Sequence, residues 1–221
     1  MARAIREQIL SRQVLPGASL RLTQLGEALG VSITPVREAL LLLTQDGWLV
    51  HEPNRGFRVA PLRRQDVDDT YFMWSVAEGE VAVRAARRAT EADVARLRAI
   101  DEQIRALPSS DGIQATTLNR HLHQAIADIA DAPKLVWFAE AARRLIPLRF
   151  PDRFQDVPGW AEVNRTEHGP IIDAIAAHDT KVAGESMAAH LRHTGNLLIQ
   201  WLDSMGFWTT TDDPPEGRLA G

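Results

Sequence analysis

The sequence predicts a mainly α-helical chain, with a small head of three helices and a β-hairpin followed by an all-helical body. Three observations predict it. Apolar residues recur at helical spacing before Gly47 and again from about residue 66 to 205, while the period shortens only between Gly47 and Pro61. At 221 residues the chain exceeds the usual single domain, so two cores are expected. Charge divides at the same place: residues 1–64 hold nine Arg and five acidic residues, a net of +4, whereas residues 65–221 hold sixteen basic and twenty-four acidic residues, a net of −8. The expected divisions are therefore a head over 1–64, a body over 65–208 and a disordered tail over 209–221.

In the head, Ala4 to Leu10 has one apolar face and stops before the turn signal Leu15, Pro16, Gly17. A second helix is expected from Thr23, as its N-cap, to Leu29, with Gly30 closing it in a left-handed conformation. After the turn Gly30, Val31, Ser32, a third helix is expected with Thr34 as N-cap, Pro35 first and Glu38 in the first turn. Val36, Ala39, Leu40 and Leu43 give it one buried stripe, and Gly47 ends it. Trp48–Glu52 and Phe57–Ala60 then read as strands around the turn Pro53 to Gly56.

The body shows no further strand pair. Helices are expected over Asp66–Ala89, from the capping box Thr90…Asp93 to Leu107, and over Ile113–Ala130, Lys134–Leu148, Ala161–His178 and Thr180–Met205. Phe150 to Gly159 reads as a loop, and nothing repeats at a fixed period.

Composition narrows the chemistry. Apolar residues at 45% and charged residues at 24% belong to a folded globular chain. The absence of cysteine excludes disulfides, thiolate metal ligation and a thiol nucleophile. A charged amphipathic N-terminus and the lack of any apolar run of about 18 residues predict no export and no membrane span, hence a cytoplasmic protein.

Three helices and a hairpin wing form the winged helix-turn-helix plan, in which the third helix enters the major groove of DNA. Base-reading residues must then lie at its N-terminal end, where Ser32, Thr34, Pro35 and Arg37 stand. Arg37 can fork onto guanine or phosphate, while Ser32, Thr34 and the free backbone N–H groups suit phosphate oxygens. Arg55 and Gly56 at the wing tip can approach a minor groove. The alternative is a protein-interaction module with Arg37 simply solvated. The stretch LGVSITPVREAL from Leu29 to Leu40, with Asp46–Leu49 and Asn54–Val59, closely resembles the DNA-binding domain of GntR-family bacterial regulators. One departure is Thr23, where several relatives carry a basic residue that contacts DNA.

Outside His51, the histidines all lie beyond residue 120, at 121, 123, 168, 178, 190 and 193. Asn119 and His123, four apart, project from one helical face, whereas His121 points away and is expected in solvent. Imidazole suits zinc, nickel or a similar divalent ion, although scattered histidines are more often solvated or structural. The segments Asn119–His123, Glu167–His168 and Met187–Leu191 resemble the FCD effector domain of the FadR-like branch of GntR regulators. The resemblance implies a bundle of six or seven helices, a homodimer reading two half-sites of operator DNA, and a divalent metal held at Asn119, His123, His168 and His190, zinc first, with nickel or manganese as alternatives.

Asn119 stands where the family usually has Asp, so three imidazoles and an amide would leave the ion its full charge. An anion then becomes the favoured effector, most simply the carboxylate of a small organic acid, with Arg149 and His193 as candidate contacts. Trp74, four residues before Glu78, replaces an Arg common in relatives. The rival readings are a metal-dependent hydrolase with Glu167 as general base, and a dimerising scaffold without a ligand.

Overall fold

The computed structural model describes residues 1–10, 13–45, 47–53, 55–61, 63–108, 111–145 and 156–208. They divide into two compact units, one comprising 1–67 and 202–208, the other 68–145 and 156–201. Arg149 and the tail beyond residue 208 lie outside the described residues, as does most of the loop expected over 150–159.

The first unit holds α1 (Ala2–Leu10), β1 (Ser19–Leu20), α2 (Leu22–Leu29), α3 (Ile33–Gln45), β2 (Leu49–Glu52) and β3 (Gly56–Val59). α3 buries Val36, Ala39, Leu40 and Leu43, the stripe its sequence spacing predicts. Both helix starts differ from expectation. α2 begins at Leu22 with Arg21 as an extended N-cap that makes no side-chain cap hydrogen bond, so Thr23 lies within the helix. α3 begins at Ile33, which moves Thr34 and Pro35 inside its first turn and leaves that turn without an acidic residue; Glu38 falls in the next.

Gly30 closes α2 at φ +66°, and the Val31 amide donates to the Gly26 carbonyl at 2.9 Å. A Cβ on Gly26 would sit 3.0 Å from the Val31 carbonyl oxygen, so the tight turn between α2 and α3 depends on a bare backbone there.

The hairpin gains a third strand that the sequence pattern did not reveal. The order is β1-β3-β2, antiparallel throughout, with Ser19 opposite Arg58 and Val50 opposite Arg58 on the other side. Two residues are too few to display an alternation, so β1 exists only because β3 offers it an edge. Arg58 ties the wing together through Glu52, at 3.1 and 3.2 Å, and the Gly17 carbonyl at 3.1 Å. Trp48 is fully buried, with the Arg6 guanidinium 6.0 Å from its ring centre.

Six helices make up the body among the described residues: α4 (Arg64–Arg88), α5 (Glu91–Ala106), α6 (Gly112–Ala130), α7 (Pro133–Leu145), α8 (Trp160–Ala176) and α9 (Thr180–Ser204). Residues 64–67 of α4 and 202–204 of α9 are counted with the first unit. Thr90 and Asp93 form the expected capping box at α5. α5 packs on α6 and α8 around a core that includes Leu97, Ile104, Leu122, Ile126, Ile171, Ile175 and Met187.

α4 and α9 meet through glycine. A Cβ on Gly79 would lie 3.1 Å from the Gly184 carbonyl oxygen, one on Gly184 would lie 2.7 Å from Val83 Cγ2, and one on Gly195 would overlap the Tyr71 ring. These absent side chains allow the two helices, which carry Glu78 and His190, to approach closely.

Candidate functional site

In the first unit, Val31, Ser32, Ile33, Thr34 and Arg37 are exposed and Pro35 is half-buried. The amino end of α3 therefore faces solvent while its opposite face fills the core. An outward N-terminus offers free backbone N–H groups and the positive end of the helix dipole, which together suit phosphate oxygens. At the wing, Arg55 is exposed and its amide donates to the Glu52 carbonyl, while Gly56 holds φ +88°.

In the second unit, three helices bring together His123 from α6, His168 from α8 and His190 from α9. One ligating nitrogen from each lies within 4.8 Å of the others. His168 and His190 are almost wholly buried and His123 is half-buried. Burial, assisted by repulsion from neighbouring cationic groups, holds His168 well below the ordinary imidazole range, and burial also lowers His190. Both are therefore neutral near neutral pH, the form that offers a lone pair to a metal ion.

The surroundings of the triad favour an electron-pair acceptor. Both ring nitrogens of His168, Nδ1 of His123, Oδ1 of Asn119 and Oε2 of Glu78 are buried without a hydrogen-bond partner. Buried polar atoms left unpaired are costly and uncommon, and a cation is the partner that the lone pairs among them share, one per neutral imidazole. The residues present thus fit a divalent ion.

Glu167 stands behind the triad. One of its oxygens lies 3.0 Å from His190 Nδ1 and the other 2.6 Å from His193 Nδ1. Burial would raise its carboxyl, but the bonds to His190 and His193 outweigh that and hold it below the ordinary carboxylate range. A carboxylate on Nδ1 directs Nε2 of the same ring toward a metal, the usual supporting contact of a histidine ligand.

Asn119, His123 and His190 share the wall of a cavity of about 90 Å³ with Glu78, Trp74, Trp160, Arg120 and Arg143. Arg143 is bonded to Glu140 at 2.9 Å. Sequence reading did not find Arg120 and Arg143, because a cation at an ordinary helical position carries no sign of the cavity it lines. His193 is half exposed and absent from the cavity wall, His121 is exposed, and His178 approaches the Ala86 carbonyl at 2.7 Å.

An antiparallel wing and an outward-facing third helix, joined to a helical body, define the class of winged helix-turn-helix DNA-binding proteins. Comparison with known proteins agrees: residues 1–59 match the bacterial regulatory proteins of the gntR family, and residues 69–193, more than half of the chain, match the FCD domain. The chain belongs to the GntR family, in the branch that carries an FCD domain, and is a DNA-binding transcriptional regulator rather than an enzyme.

It is 28% identical over 196 residues to the HTH-type transcriptional regulator YdhC of Bacillus subtilis (strain 168), covering 86% of this chain and 85% of that one. It is 25% identical to the HTH-type transcriptional repressor RspR of Escherichia coli (strain K12), covering 93% and 90%. The solved structure of E. coli McbR/YncC is similar at a TM-score of 0.60 and 25% identity, covering 90% of this chain and 96% of that one.

The hydrolase reading finds no support among the regulator relatives, and the geometry supplies a physical reason. Both oxygens of Glu167, the only candidate base it had, are engaged by His190 and His193. No helix among the described residues is long and apolar enough to cross a membrane.

Proposed function

We propose that this regulator binds operator DNA as a homodimer in the cytoplasm and that a small organic acid, received beside a divalent metal in the helical body, releases it. The observation that carries the sensing half is the convergence of three histidines from three helices, two of which, His123 and His190, line a cavity. His123, His168 and His190 would hold the ion with Asn119; zinc suits such imidazole ligands, and nickel or manganese are alternatives. When bound, the ion would supply a localised positive charge at the cavity wall.

The three imidazoles and the amide carry no charge of their own, Glu78 contributes one negative charge, and Arg143 is offset by Glu140. Arg120 adds another positive charge, so the wall keeps a positive balance that a carboxylate offsets. Arg149, outside the described residues, remains a candidate contact for the acid, whereas His193, bonded to Glu167 and off the cavity wall, would act on the site through Glu167.

Operator reading is assigned to Ser32, Thr34, Pro35 and Arg37 at the start of α3, with Arg55 and Gly56 at the wing. A second copy of the chain would cover the exposed apolar stripe of Phe72, Met73 and Val76 on α4. Repression relieved by the acid is favoured by the likeness to RspR, which is named a repressor. An effector can shift the bundle only if it binds one arrangement more tightly than the other.

A thermal-shift screen of small organic acids, with and without divalent ions, tests the reading. An acid that raises the melting temperature only when the ion is present is the expected result. Acids that act equally in chelator would remove the metal from the account.

A further inference from the structure

We propose that Glu78, rather than Asn119, supplies the negative charge of the metal centre, and that the indole of Trp74 holds the Glu78 carboxylate in place. The proposal rests on the metal reading above. Trp74 and Glu78 stand four apart on α4, so their side chains share a face. Both are buried, and Trp74 Nε1 donates to Glu78 Oε1 at 3.3 Å.

That bond occupies one carboxylate oxygen and leaves the other free. Oε2 has no hydrogen-bond partner, although the carboxylate is about nine-tenths buried. It lies 3.5 Å from Nδ1 of His123, which is equally unpartnered. A proton on His123 would pair only these two atoms, leaving Asn119 Oδ1 and the His168 nitrogens as they are. The nitrogens within 4.8 Å of one another are those of His123, His168 and His190, and Glu78 Oε2, beside His123, is the buried carboxylate oxygen that a cation held by them would draw in.

Charge supports the same assignment. Ligands limited to imidazole and amide would bury a divalent ion uncompensated, at a large desolvation cost. One carboxylate halves that charge. Gly79, next to Glu78, lets α4 approach α9, which carries His190. Position 74 thereby becomes a positioning residue for the centre.

The test is zinc affinity of the full-length protein, measured by competition with a chromophoric chelator, alongside the visible spectrum of the cobalt-loaded form. Glu78→Gln is expected to weaken zinc by about 10- to 100-fold, as loss of a supporting carboxylate does elsewhere, and to change the cobalt spectrum. Trp74→Phe, which keeps the ring and removes the N–H, is expected to weaken zinc in the same direction by less. Asn119→Asp should restore zinc binding to the Glu78→Gln protein while adding little to the wild type, a coupling that two independent sites would not display.

If wild-type protein takes up no ion, the metal reading itself fails. If wild-type protein binds zinc and Glu78→Gln binds it equally well, the metal reading stands and this proposal is overturned. Should Glu78→Gln not fold, Asn119→Asp alone decides, because a gain of about tenfold or more would mean that the wild-type centre lacks a carboxylate.

Discussion

Replacing His168 by Leu should make the protein more stable without metal and less stable with it. His168 is 1% exposed, burial keeps it neutral, and neither ring nitrogen has a hydrogen-bond partner. An unsatisfied buried polar group costs about 1–3 kcal/mol, so two of them cost roughly 2–6 kcal/mol. Leucine is apolar and of comparable size, and imperfect fit returns up to about 1.5 kcal/mol of that gain.

In chelator the variant is therefore expected to be more stable by at least about 0.5 kcal/mol, or roughly 1–2 °C in melting temperature for a chain of this size. Zinc at about 1,000 times its dissociation constant stabilises the wild type by about 4 kcal/mol, and it should do little for a variant lacking one of three histidines. The order of stability then reverses on adding zinc wherever the gain in chelator is below about 4 kcal/mol. Urea unfolding of both proteins, in chelator and in zinc, reads the reversal directly. A variant less stable than wild type in chelator, or one that gains as much from zinc, would refute the reasoning.

Two further outcomes follow from other parts of the chain. Arg37→Ala should weaken operator binding by about 1–3 kcal/mol if the guanidinium reads a base, while Arg55→Ala should weaken it across all sequences and reduce the salt slope by about one; mobility-shift titrations at several salt concentrations separate the two, and unchanged binding removes either residue from the interface. Asp101 provides a pH test: burial raises its carboxyl despite Arg105, whose Nε lies 2.8 Å away, so the folded state holds this proton more tightly than the unfolded chain does. The stability this group contributes is complete below the unfolded value and is lost as pH rises through the folded one. Asp101→Asn, which resembles the protonated form, should thus gain on wild type in urea titrations as pH rises from below the ordinary carboxylate range through the raised folded value, and a loss on that rise would show that the Arg105 pair dominates.

Much of the architecture was legible because it is local. The stripe Val36, Ala39, Leu40, Leu43 states which face of α3 is buried, and from that the outward position of Arg37 follows. Thr90 and Asp93 announce the start of α5, and Gly30 the end of α2. Where local signals were wrong, they were wrong by one or two residues: Thr23 and Thr34 are good caps by type, yet each helix begins earlier.

The histidine positions came from resemblance, whereas their convergence is a property of the packing. His123 shares its helix with the exposed His121, and nothing in the spacing reveals that it meets rings from positions 168 and 190. The same holds for β1, the glycine contact of α4 with α9, the place of Glu167 behind His190, and the approach of Glu78 to His123. The sequence by itself determined where helices run and which face each one hides, since those depend on neighbours within one or two turns. Which hidden faces meet was decided by tertiary structure alone, because it depends on how closely distant backbones can pack, and that distance sets which polar atoms are left facing one another.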